Sequence, residues 1–276
     1  RRLLPALFTM LIVALVAVTF FAKDSAPDFR RDVGPALGYF SNWWQIYFVD
    51  TPYFAANSLP MLRHLWSLAV EEQWYVLWPV AFVFVLGNKR IPRWISAVVI
   101  GLLSAGVMVG TALAFIADDE TRINFLYLST LTRSSGLLLG AALACVWRPW
   151  KKVATKFAKA RSVFSDVLAL GAFTTLGYIS AFVHVADERL YLGGLAAATF
   201  ASAVIIAVVV RSGSSLVKEV LSIPLLVEIG RRSYGLYLWH WPIFVVAGAR
   251  LSPIRLAYAL TATVIVNEFV YQFIET

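Results

Sequence analysis

The chain has 276 residues, of which 60% are hydrophobic and 14% charged, where an ordinary soluble domain has roughly a quarter of its residues charged. So few charges cannot build a water-facing surface, which excludes a soluble globular domain and leaves an integral membrane protein. The formal charge of +8 does not indicate nucleic acid, because the basic residues fall in short clusters between apolar runs rather than along one helix face or tail.

A helix needs about 20 apolar residues to cross the roughly 30 Å hydrocarbon core, and eight stretches meet that requirement. The first, about 3 to 22, follows Arg1 and Arg2. It is longer than a signal-peptide core and lacks a clean small-x-small cleavage site, so it reads as a span. Leu37 to Phe48, with Asn42, Trp43 and Trp44, is too short and too polar to cross and reads as an interfacial or re-entrant helix. The remaining spans are about 66 to 86, 95 to 116, 123 to 147, 165 to 185, 190 to 210, 231 to 249 and 254 to 274. The expected fold is all-α, a polytopic transmembrane bundle forming one domain over 1–276, with no internal repeat and no long linker.

With the first residues placed in the cytoplasm, the inner loops hold fifteen Lys and Arg and the outer loops eight, while Arg133 lies inside a span. This asymmetry predicts both ends of the chain on the cytoplasmic side. The lone Cys145 excludes an internal disulfide and a cysteine metal cluster, and the three scattered histidines form no HExxH pair, so no metal is implied. The chain opens on Arg1 rather than Met and stops at Thr276 directly after an apolar run, the pattern of a piece of a longer protein.

Ionisable groups at a span centre cost about 2.5 to 3.5 kcal/mol on insertion scales, which makes each a candidate functional group. His64, Ser67, Glu71 and Tyr75 recur at helical spacing where a span enters from the outer side, with Glu72 and Gln73 beside them. A hydroxyl, a carboxylate, a phenol and an imidazole in one row suit proton handling or binding of a polar substrate. The bland alternative is an interfacial helix start whose acids meet the helix dipole. His240 sits mid-span just before Pro242, which frees a backbone carbonyl, and Ser233, Tyr234 and Tyr237 lie close by. A neutral histidine there can equally serve only as an interhelical hydrogen-bonding group. Arg133 needs a carboxylate, a phosphate or a wet cavity, and an ion pair with Glu71 or Glu72 is the structural alternative. Gly136 and Gly140 behind it have the spacing of helix packing. Arg1 and Arg2 either set topology or meet the phosphates of a cytoplasmic donor.

The runs Leu65-Trp66-Ser67-Leu68-Ala69-Val70-Glu71-Glu72-Gln73-Trp74-Tyr75 and Ser233-Tyr234-Gly235-Leu236-Tyr237-Leu238-Trp239-His240-Trp241-Pro242 resemble two signatures of the membrane acyltransferase-3 family, with matching separation. Arg1 to Ala6, Asn42-Trp43, Thr132-Arg133 with Gly140, and Phe273-Ile274-Glu275 extend the resemblance over nearly the whole chain. It implies a ten-helix membrane domain of the bacterial inner membrane. Such a domain takes an acyl group, commonly acetyl, from cytoplasmic acyl-CoA and hands it to a hydroxyl of an envelope glycan or lipid-linked sugar. Acyl-CoA is then a co-substrate, and no permanently bound cofactor is implied. In many members with these motifs a further helix and a periplasmic hydrolase-like domain follow. The family also has a basic residue and, ten residues on, a histidine in its first helix, the usual candidate for the base. Two helices of the family lie ahead of Arg1, and its Arg-x-x-Arg motif is at best half present in Arg1 or Arg2. The piece by itself is therefore expected to be inactive. Catalytic roles fall to Glu71, His240, Arg133 and His64, and substrate contacts to Arg1, Arg2, Ser67, Glu72, Gln73, Tyr75, Ser233, Tyr234 and Tyr237. A proton-coupled exporter using Glu71, Arg133 and His240 as a relay is the rival reading. A purely structural membrane subunit with these charges paired is the other.

Overall fold

The computed structural model describes residues 3–50, 52–53, 59–86, 91–147, 158–211, 213 and 215–275. Most of these are helical, with no strand among them. Six helical stretches are long and apolar enough to cross a membrane: Leu3–Phe20, Arg93–Leu113, Glu120–Val146, Ser162–Phe182, Leu190–Val210 and Pro253–Ile274. The other two expected spans are also helices, of 22 and 24 residues, with the polar rows Glu71-Glu72-Gln73 and Arg231-Arg232-Ser233-Tyr234 diluting their apolar character. The chain is a multi-pass membrane protein of all-α class. Its backbone falls into two compact units.

The first unit comprises Arg1–Thr51, Ala55–Glu72 and Pro224–Thr276. It contains α1 (Leu3–Phe20), α2 (Ala26–Leu37), α3 (Ser41–Tyr47), the first turns of α4 (Leu65–Leu86), α11 (Pro224–Ala247) and α12 (Pro253–Val270). On α1, Ala6, Leu7, Met10, Leu11, Ala14 and Val18 are buried, the three-and-four spacing that puts side chains on one helical face. They pack with Leu62, Leu65, Leu68, Leu238 and Val270. The opposite face, including Phe8, Ile12 and Leu15, is exposed although apolar, which fits a solvent of lipid tails. Gly248 (φ 61°) ends α11 in the left-handed region, and Ser252 then caps α12 by accepting from the Arg255 amide at 3.2 Å. Arg232 on α11 pairs with Glu268 on α12 at 2.6 Å and with Glu228, stitching the two helices together.

The interfacial stretch expected from Leu37 to Phe48 is helical over Ser41–Tyr47, and a further helix, α2, precedes it.

The second unit comprises Pro52–Phe54 and Gln73–Ile223. It holds the rest of α4 together with α5 (Arg93–Leu113), α6 (Glu120–Leu128), α7 (Thr130–Val146), α8 (Ala158–Phe182), α9 (Leu195–Val210) and α10 (Leu216–Leu221). Ser104 on α5 donates to the Ser135 carbonyl on α7 at 2.7 Å, beside a small core of Ile100, Ala142 and Cys145. Asp166 on α8 accepts the amides of Leu216 and Val217 and so holds the start of α10.

The expected span from 123 to 147 is not one continuous helix. Ser129 takes an extended conformation, its hydroxyl accepts from the Leu131 amide, and the helix breaks into α6 and α7.

Candidate functional site

The turn before α4 is fixed in the first unit by side chains reaching its backbone. Trp241 donates its indole N–H to the Pro60 carbonyl at 2.9 Å, and Gln45 donates to the Arg63 carbonyl at 3.0 Å. Met61, Leu62, Arg63 and His64 are all buried as a result. His64, one residue ahead of α4, is 4% exposed.

Its Nε2 lies 3.1 Å from the Leu238 carbonyl oxygen of α11. A carbonyl only accepts, so Nε2 carries the proton and Nδ1 keeps its lone pair. That carbonyl is available for a reason written in the sequence. In a regular helix the Leu238 oxygen would accept from the amide four residues on, and that residue is Pro242, which has no N–H. His64 takes the vacated acceptor. Burial, reinforced by the neighbouring His240 and opposed by the Leu238 bond, pushes the His64 imidazole down to about 3. It therefore stays neutral at physiological pH.

His240 has the opposite tautomer. Its Nδ1 sits 2.5 Å from the Tyr237 carbonyl of its own helix, so Nδ1 bears the proton and the lone pair is on Nε2. The two imidazoles meet edge to face with centroids 5.6 Å apart. Tyr237 lies against both rings, at 5.6 Å from His64 and 5.4 Å from His240. Its hydroxyl donates to the His64 carbonyl at 2.6 Å and is also hydrogen-bonded to the Ser67 hydroxyl. The Ser67 hydroxyl also lies 3.4 Å from the His64 carbonyl as a donor, so the two hydroxyls gather on one acceptor and Ser67 keeps oxygen lone pairs for a further partner.

His64, Ser67, Tyr237 and His240, expected from two separate runs of sequence, thus form one polar cluster. Glu71 follows Ser67 by one turn and is exposed, Glu72 is half-buried, and Tyr75 is 58% exposed. Helical geometry explains the drift. Eight residues rotate by about 80° beyond two full turns, so the end of the row leaves the face on which it began. Tyr234 donates to the Leu3 carbonyl at 3.0 Å, tying α11 to α1, and Ser233 is exposed. Arg1 and Arg2 lie outside the described residues. Tyr39 was not expected; it holds a left-handed turn (φ 53°), and burial together with the nearby Glu72 carboxylate pushes its phenol up.

Gln73 and Arg133 belong to the second unit. Gln73 accepts from the Thr130 hydroxyl at 2.6 Å. Arg133 donates through Nε to the Tyr127 carbonyl at 2.7 Å and stacks over the Tyr127 ring at 4.3 Å. The break at Ser129 leaves carbonyls at the end of α6 without helical amides, and Arg133 takes up one of them. Among the described residues no group of His, Cys, Asp and Glu is arranged to hold a metal ion.

A family profile described as an acyltransferase domain matches residues 1–267. The chain belongs to this acyltransferase family. It is 35% identical over its full length to an O-acetyltransferase OatA of Staphylococcus aureus (strain NCTC 8325 / PS 47), covering 45% of that protein. It is 33% identical over its full length to a peptidoglycan O-acetyltransferase OatA of Listeria monocytogenes, covering 44%. A putative O-acetyltransferase of Staphylococcus aureus (strain COL) is 34% identical over the full chain and 46% of its own length. The chain therefore spans less than half the length of these acyltransferase relatives. No solved structure matches it.

Proposed function

We propose that this chain is the membrane part of an O-acetyltransferase that moves acetyl from acyl-CoA on the cytoplasmic side to a hydroxyl of an envelope glycan, with peptidoglycan as the first acceptor to test. Both ends of the segment lie on the cytoplasmic face of a bacterial inner membrane in this reading, as the charge asymmetry predicts. The observation that carries the proposal is the pair of imidazoles with opposite tautomers, joined to a Ser67–Tyr237 hydroxyl pair. Family membership and the relatives named as O-acetyltransferases support the same reaction class.

Acyl transfer from a thioester to an alcohol forms a carbon–oxygen bond and breaks a carbon–sulfur bond, and the alcohol proton ends on the departing thiolate. Within this chain, His240 suits proton handling because its lone-pair nitrogen Nε2 lies on a half-buried ring rather than a sealed one. His64 is too weakly basic to hold a proton at neutral pH, and its role is to position Tyr237 and the opposing ring. Ser67 offers a hydroxyl to a polar substrate, and Glu71, one turn along α4, supplies a carboxylate to orient it. The family resemblance adds a histidine in a helix ahead of Arg1, which would act with His240.

The test uses the full-length protein in cells, with labelled acetyl-CoA as donor and glycan O-acetyl as readout. His240→Gln is expected to lower the turnover rate with little change in donor KM. Wild-type acetylation by His240→Gln at normal membrane abundance would remove His240 from the mechanism, and failure of label to reach any glycan would overturn the reaction itself.

A further inference from the structure

The acyl-transfer chemistry uses the imidazole of His240 and leaves the residue after it, Trp241, without a part. Trp241 gives its indole N–H to the Pro60 carbonyl at 2.9 Å. That oxygen has two lone pairs, and its other partner is the Arg63 amide at 3.2 Å. The Arg63 amide closes a turn over residues 60 to 63, and a second turn follows, closed by the Leu65 amide on the Leu62 carbonyl at 3.0 Å. His64 lies inside the second turn, so the place of its backbone depends on where the Pro60 carbonyl is held.

The helix that holds Pro60 also holds His64. On α11 the Leu238 carbonyl meets the His64 Nε2 at 3.1 Å, and the Tyr237 hydroxyl donates to the His64 carbonyl at 2.6 Å. Tyr237 and Trp241 are one helical turn apart with Leu238 beside them, so the three contacts form one patch of helix surface. His240 is carried by the same turn of helix. The Leu238 bond holds one ring nitrogen of His64, and the way the ring stands on that bond is set by the backbone that carries it. The indole has a fixed pose from which to donate: the Arg250 guanidinium stands over its ring at 5.9 Å, and His240 meets it edge to face at 6.3 Å. Gln45 supports the turn as well, through the Arg63 carbonyl at 3.0 Å, but from α3, which does not carry the opposing imidazole.

We infer that Trp241 is a positioning residue for acyl transfer: its indole N–H, through the Pro60 turn, fixes the His64 ring against His240. It acts through His64 rather than on substrate. The kinetic consequence rests on the acyl-transfer reading, and the effect on the His64 ring does not.

The test compares wild type with Trp241→Phe, which keeps an aromatic ring and removes the N–H, in the full-length protein. Nitrogen NMR of histidine-labelled protein in bilayers at neutral pH reads the tautomers, with signals assigned by difference against His64→Gln and His240→Gln. The wild type is expected to show His64 protonated on Nε2 alone, and Trp241→Phe to show a mixture at His64. O-acetyl transfer from labelled acetyl-CoA should then fall about 2- to 12-fold in kcat, the scale of one hydrogen bond, with donor KM unchanged. Loss of folded enzyme would lower the apparent rate too, but would leave the tautomer of the remaining protein unmoved. If Trp241→Phe does not fold, β-(3-benzothienyl)alanine in place of Trp241 keeps the shape of indole without its N–H and carries the same expectation. A single Nε2–H signal for His64 in the variant, or an unchanged kcat, would overturn the inference. If the wild type itself transfers no label, the acyl-transfer reading falls, and the His64 tautomer in the variant still decides whether Trp241 sets the ring.

Discussion

Replacing Pro242 with Ala returns an amide to α11 four residues after Leu238, whose carbonyl now accepts from His64 at 3.1 Å. The restored helical bond contributes about 0.5–1.5 kcal/mol, and removal of a proline from a helix interior relieves up to about 3 kcal/mol. The same bond draws the carbonyl back to the helix axis and leaves the buried His64 N–H poorly paired, a cost of about 1–3 kcal/mol. The fold is therefore expected to hold or gain stability while the site loses its alignment. If that cost falls on the transition state, glycan O-acetylation drops by roughly 5- to 100-fold. The assay is O-acetyl per unit of membrane-inserted full-length protein, read beside the melting temperature in detergent. A double-mutant cycle decides the cause: in a His64→Ala background, Pro242→Ala should lower activity no further. Full additivity, or an activity loss matched by a fall in melting temperature, would refute the coupling of Pro242 to His64.

Stability should also depend on acid through His64. Its folded pKa of about 3 lies below the ordinary 6.5, so between those values the unfolded chain binds a proton that the folded chain does not, and stability falls as pH drops from 6.5 toward 3. Thermal melting against pH should show that slope, and His64→Gln should flatten it. Tyr237→Phe removes the donor to the His64 carbonyl and the partner of Ser67. A melting curve should show a loss of about 1 kcal/mol, and O-acetyl assays a larger proportional fall in activity. On α1, Leu7→Ala opens the packed face, where Leu7 is 1% exposed, and should cost about 2–5 kcal/mol. Leu15→Ala, on the 51% exposed face, should stay within about 0.5 kcal/mol. Equal losses from the two variants would show that the assigned core face of α1 is wrong.

The spans were legible because crossing a bilayer is a constraint on composition, and composition is local. The discrepancies come from features that composition does not carry. The α2 helix contains Pro27 and Pro35 and a mixed polar surface, so it carries no span signal, and tertiary packing buries Phe29 and Ala36 against α1 and its neighbours. The break between α6 and α7 falls in Leu128-Ser129-Thr130-Leu131, which scans as continuous helix. It depends on the Ser129 hydroxyl taking the Leu131 amide instead of leaving it to the helix. For the site, sequence spacing brought His64 and Ser67 together and flagged the carbonyl freed by Pro242. It could not say that the recipient of that carbonyl lies 174 residues earlier. Nor could it separate the face of α4 that meets α11 from the face that carries Tyr75.

The chemistry of the cluster follows from one helix supplying two adjacent carbonyls. Tyr237 and Leu238 present successive backbone oxygens, and each takes an N–H from a different imidazole through a different ring nitrogen. Two histidines held through the same nitrogen would offer equivalent lone pairs. Here one lone pair, His64 Nδ1, is sealed in a buried ring, and the other, His240 Nε2, lies on the more accessible one. Burial separates the two rings, since a sealed imidazole resists protonation and acts as a fixed strut. The proline that a regular helix would exclude is what makes the arrangement possible, because without its missing amide the strut would have no anchor on α11.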